Sequence, residues 1–74
     1  MQSVSLILND GIRFLKEDGI ISVSGLIGGY RKIDDGEEFF YYTDLIEISE
    51  EQKLEFEGRV RQIIREVEAL EGKL

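Results

Sequence analysis

Hydrophobic residues follow two different rhythms along the chain. In the last third they fall on Phe56, Val60, Ile63, Val67, Leu70 and Leu74, in steps of four and three, with Ile64 widening the stripe. That spacing belongs to one amphipathic helix, which the pattern predicts over 49–74. Ser49 stands at the N-cap with Gln52 three residues on, the arrangement of a capping box. Glu50 and Glu51 follow, where carboxylates favour the positive end of the helix dipole. No proline interrupts the run. On the polar side, Glu55–Arg59 and Glu57–Arg61 are spaced as i,i+4 ion pairs in the favourable order.

Upstream the rhythm shortens. Residues 4–8 form an apolar run closed by Asn9, Asp10 and Gly11, and Ile12 and Phe14 then alternate with Arg13. Glu17, Asp18 and Gly19 make a second break, after which Ile21 and Val23 alternate with Ser22 and Ser24. Residues 25–29, rich in glycine, read as a bulge or loop. A further strand is expected over 30–33, a turn at Asp34, Asp35 and Gly36, and an aromatic strand over 37–43. The Asp-Gly pairs ending at Gly11, Gly19 and Gly36 mark hairpin turns, because both residue types tolerate positive φ. The prediction is a single α+β domain over 1–74. It consists of an antiparallel β-meander of four to five strands (1–48) and a long C-terminal helix (49–74) packed on one face.

Lengths sharpen this expectation. About 22 helical residues span roughly 33 Å, against roughly 20 Å for six-residue strands. The helix outruns the sheet, which is expected to end near Ile64. Val67, Leu70 and Leu74 are then left without a floor, and a two-fold homodimer with these three at its interface follows. Gly58, costly in a helix interior, reads either as a close approach to the sheet or as tolerated drift.

Charge changes the functional picture. The chain carries −7 over 74 residues. Residues 34–58 hold ten acids against Lys53 alone, while the segments on either side are each +1. Direct contact with a nucleic-acid backbone, which needs clustered Lys and Arg, is not expected. An acidic strip suits a protein partner with a basic surface, or simply keeps the chain in solution. Cysteine and histidine are both absent, which removes disulfides, thiolate metal sites and the commonest general base. A reducing cytoplasm fits this composition. Neither a secretory leader nor a membrane span is expected from the sequence.

Candidate motifs reduce to turns. Residues 25–29 lack the Lys-Ser/Thr ending of a phosphate loop, since Tyr30 and Arg31 follow. Residues 34–38 are too short for a calcium loop. No catalytic residue, cofactor or metal site is expected. The aromatic run Phe39, Phe40, Tyr41, Tyr42 is more informative, because alternation sends one pair to the core and leaves the other exposed, covered by a second chain or offered to a partner.

The order of these pieces resembles a family of small bacterial immunity proteins from polymorphic toxin systems. The resemblance rests on Gly11-Ile12-Arg13-Phe14, on the segment from Gly19 to Gly25, on the aromatic strand Phe40-Tyr41-Tyr42 and on the helix opening Ile48-Ser49-Glu50-Glu51. It implies a protein that binds and blocks a toxin, with no catalysis of its own. The residues expected to meet a basic partner are Asp34, Asp35, Glu37, Glu38, Asp44 and Glu47, with Tyr41 or Tyr42 as anchors. Two other readings stand beside this one. One is a phage-encoded anti-defence inhibitor that mimics nucleic-acid charge. The other is a non-catalytic structural module that dimerises through its helix.

Overall fold

The computed structural model describes residues 3–42 and 47–73 of the chain. Five strands run in order, β1 (Ser3–Ile7), β2 (Arg13–Glu17), β3 (Ile20–Ser24), β4 (Gly28–Ile33) and β5 (Gly36–Tyr41), followed by helix α1 (Glu50–Glu71). Each strand pairs antiparallel with the next, so spatial order repeats chain order. This is the expected α+β meander with a long C-terminal helix.

The turns explain the order. Asp18 and Gly19 both have positive φ, 53° and 79°, as a two-residue hairpin of the type I′ class requires. Gly11 also has positive φ, and its N–H donates to Leu8 O at 3.0 Å. Gly36 departs from expectation. It pairs with Ile33 as the first residue of β5, and neither it nor Asp34 and Asp35 takes a positive φ. The loop there is the two aspartates. The expected bulge at 25–29 resolves into a tight turn, with the Gly25 N–H donating to Gly28 O at 2.8 Å, and β4 begins at Gly28.

Register sorts the strand residues onto two faces. Phe14, Val23, Tyr30 and Phe39 share one cross-strand row on the inner face. Ile12, Phe14, Ile21, Val23 and Tyr30 are buried there against Phe56, Val60, Ile63 and Val67 of the helix. Phe39 and Phe56 meet edge to face at 6.3 Å. At Gly25 a Cβ would stand 2.8 Å from the Phe56 ring, so the absent side chain is what lets the helix seat there. The capping box at Ser49 and Gln52 is formed, with the Gln52 N–H donating to Ser49 Oγ at 3.1 Å and the Ser49 N–H to Gln52 Oε1 at 2.9 Å.

Several expectations are corrected. Val67 is 5% exposed and belongs to the monomer core, so it is not left over for a second chain. The sheet reaches further under the helix than strand length suggested, and Lys16 Nζ meets Glu71 Oε1 at 2.8 Å beneath the last turn. The helix does outrun the sheet, but at its start, where nothing before Phe56 is buried and Leu54 stands exposed. Leu70 is exposed, and Leu74 lies outside the described residues. Gly58 makes no close approach, because a Cβ there would meet nothing within 4 Å. The two predicted i,i+4 pairs are also replaced by longer-range partners. Arg59 Nε donates to Asp10 Oδ2 at 2.9 Å, Arg61 Nη1 lies 3.6 Å from Glu37 Oε1, and Glu57 accepts a hydrogen bond from the Tyr41 hydroxyl. Tertiary partners hold these side chains against the sheet, where an intrahelical pair offers only a few tenths of a kcal/mol.

Candidate interaction surface

The helix covers one face of the sheet, and among the described residues nothing covers the other. On the bare face the register builds two rows. One reads Ser5, Leu15, Ser22, Arg31, Glu38 across the five strands, and the other reads Ile7, Arg13, Ser24, Gly29, Phe40. Ser5, Ser22 and Ser24 lie among larger side chains there, which leaves a shallow hollow of about 560 Å³. Leu15, Phe40 and Ile7 at its margin are 41%, 43% and 76% exposed. Just past β5, Tyr42 is also exposed and meets Phe40 edge to face at 6.2 Å.

Phe40 is held in place by what lies beneath it. A Cβ on Gly29 would fall 2.4 Å from the Phe40 ring, so the ring lies across the glycine. An aromatic laid over a strand glycine restores the contact that the missing side chain gives up. Arg31 and Glu38 face each other directly across β4 and β5, and Arg13 and Glu17 add one charge of each sign. This face is electrically balanced in a chain of net −7.

The acids expected to act together are separated. Asp34 and Asp35 sit exposed at the β4–β5 turn. Glu37 points to the helix side, where it accepts the Tyr30 hydroxyl at 2.6 Å and pairs with Arg61. That hydroxyl first, and the Arg61 charge with it, hold the Glu37 carboxyl below the ordinary range. Glu38 is on the opposite face, across from Arg31. Glu47 is exposed ahead of the helix, near Glu50, Glu51 and Glu55 in sequence, and Asp44 lies outside the described residues. The strand β5 therefore stands between two acidic groups, one at its turn and one at the helix start.

The two tyrosines divide as alternation requires. Tyr41 is half-buried under the helix, packed edge to face against Phe56 at 6.0 Å and bonded to Glu57, with Lys53 Nζ 5.4 Å above its ring. Burial first, and then the Glu57 bond, push its phenol up to about 12. The same two causes, with Glu37 in place of Glu57, raise Tyr30 to about 12. These groups serve the interior. Tyr42 alone of the expected anchors faces outward, and Phe40 joins it.

Sequence reading passed over the hollow itself. Leu15 was its available signal, since it stands out of phase with the inward residue Phe14 of its own strand. Among the described residues no cluster of three or more carboxylates is placed to hold a metal ion, and no helix is long and apolar enough to cross a membrane. Comparison with protein-family models, curated proteins and solved structures finds no match to the chain.

Proposed function

We propose that this protein works by binding another protein, as a small acidic inhibitor of the kind an immunity protein is, and that the bare face of the sheet is the surface that docks. The observation that carries the reading is the hollow, a concave and charge-balanced patch with Leu15 and Phe40 at its margin and Tyr42 exposed beside Phe40. Exposed aromatic side chains such as Phe40 and Tyr42 are of the kind enriched at binding surfaces. The net −7 lies elsewhere on the molecule and favours encounter with a basic partner, such as a toxin or nuclease, through long-range attraction. The two parts have separate roles: the acids set how fast the partner arrives, and the hollow sets how long it stays. A chain without cysteine suits such a role in a reducing cytoplasm.

The test is to isolate a stoichiometric partner on the immobilised protein and then measure its binding kinetics in solution. Leu15→Asp and Phe40→Ser are expected to raise the dissociation rate at least about tenfold, equivalent to about 1.4 kcal/mol, while added salt slows association of the native protein. A partner bound equally well by both variants, at a salt-independent rate, would remove the hollow from the mechanism and end this reading.

A further inference from the structure

The two edges of the sheet differ in a way that the binding proposal does not use. The β5 edge carries Glu37 and Glu38, charges of the kind that discourage edge-to-edge pairing. The β1 edge reads Ser-Val-Ser-Leu-Ile and has no charge, proline or glycine. Leu6 is 37% exposed on it, beside Ile7. Such an edge is a template for another strand.

Hydrogen bonding shows which groups have no partner among the described residues. The Leu8 N–H donates to Ile12 O at 2.8 Å and the Leu8 carbonyl accepts from Gly11, so both groups of Leu8 turn toward the β2 side. In an antiparallel strand both groups of a residue point the same way, and the direction alternates along the chain. Leu6 and Val4 therefore also turn to β2, opposite Phe14 and Lys16. Ser3, Ser5 and Ile7 direct their N–H and C=O groups out of the free edge.

We infer that β1 pairs antiparallel with β1 of a second copy of this chain, with Ser5 on the two-fold axis, to give a continuous ten-stranded sheet. This register sets Ser5 against Ser5 and Ser3 against Ile7 of the other copy, so all three outward-facing residues exchange hydrogen bonds. A register centred one residue to either side leaves Ile7 or Ser3 without a mate inside β1. The same register puts Val4 opposite Leu6 of the second copy on the helix face, which covers the half-exposed leucine with an apolar neighbour. The self-complementary register is what selects a second copy, and charge at the contact does not oppose it. Two molecules of net −7 repel over most approaches, and β1 brings no charge of its own to the contact. Lys16 and Glu37 place the helix across β2 to β5, so the two helices stand at least three strand spacings apart, roughly 14 Å and beyond the ~8–10 Å of packed helices. They do not touch, and Leu70 takes no part in this dimer. The bare faces join side by side and stay open, with Ser5 and Ile7 shared between the paired edge and the rim of the hollow.

Sedimentation equilibrium and amide hydrogen exchange across the micromolar range test it together. The expected result is a mass that rises from one chain to two, with the Ser5 and Ile7 amides slowing at least about tenfold as concentration increases, the mark of newly paired groups. Leu6 and Val4 amides, already bonded to β2, should change little. Ser5→Pro removes an outward N–H without touching the β2 ladder, and Ile7→Lys places a charge on the edge. Both are expected to keep the native circular dichroism and stay monomeric, while Leu70→Glu stays dimeric. A single 8.5 kDa species at every concentration overturns the inference. So does a dimer in which the Ser5 and Ile7 amides exchange as freely as in the monomer, because its interface then lies elsewhere.

Discussion

On the inner face of the sheet, Phe14, Val23, Tyr30 and Phe39 stand side by side in one cross-strand row. One row along, on the outer face, the neighbours are Leu15, Ser22, Arg31 and Glu38. Both rows obey the same two-residue alternation. The first is continuous in apolar area and lies under Phe56, Val60 and Ile63. In the second a large apolar residue is followed by a serine and then by a charge pair, so the area is broken and no helix covers it. What separates core from surface here is who the cross-strand neighbours are. Alternation within a strand is only the precondition.

The strongest way to break this comparison is to place the same charge on each face. Ile63→Asp, facing the inner row at 2% exposure, leaves a carboxylate buried without a partner and should cost about 3–5 kcal/mol, enough to unfold so small a domain. Leu15→Asp on the outer row should cost less than about 0.5 kcal/mol. Urea denaturation of the two variants decides the matter, and equal losses would mean that the bare face is core after all.

A smaller effect tests how the inner face ties to its rim. Tyr30→Phe removes the hydrogen bond to Glu37 and should cost about 1 kcal/mol near neutral pH. Its pH signature is more telling. The Glu37 carboxyl is held below its ordinary value of 4.5, so its contribution is present above that pH and is lost as pH falls below it. The Tyr30 phenol is raised from 10.0 to about 12, so its contribution is present below pH 10 and is lost between there and pH 12. In the phenylalanine variant both limbs of the stability curve should be shallower, with Tyr41 still supplying part of the alkaline one. Thermal melts from pH 2 to 12 would show it, and unchanged limbs would mean that the bond contributes nothing in solution.

The smallest effect concerns the outward side of the covering helix. Gly58 touches nothing where a Cβ would go, so Gly58→Ala should stabilise by up to about 1 kcal/mol through helix propensity alone. A loss of stability, read from the denaturation midpoint, would reveal a contact at Gly58.

Much of the fold was legible because its signals are local. The period of the last third, Ser49 with Gln52, and Asp18-Gly19 each act within a few residues, and each formed as read. The candidate site was legible only in part. Phe40 and Tyr42 could be placed on one face, but which face the helix would take depends on the summed area of five strands. The acidic strip was contiguous in sequence only. Alternation sends Glu37 to Tyr30 and Arg61 and turns Glu38 to Arg31.

By itself, then, the sequence determined the elements, their order and the antiparallel meander, since short turns between adjacent strands allow little else. Tertiary structure decided the rest. It chose Asp10 and Glu37 over intrahelical partners for Arg59 and Arg61, buried Val67 in the core beneath the helix, and among the described residues left one sheet face and one uncharged edge bare. Residues far apart in the chain make those choices, and the energies that settle them belong to pairs that no local window contains.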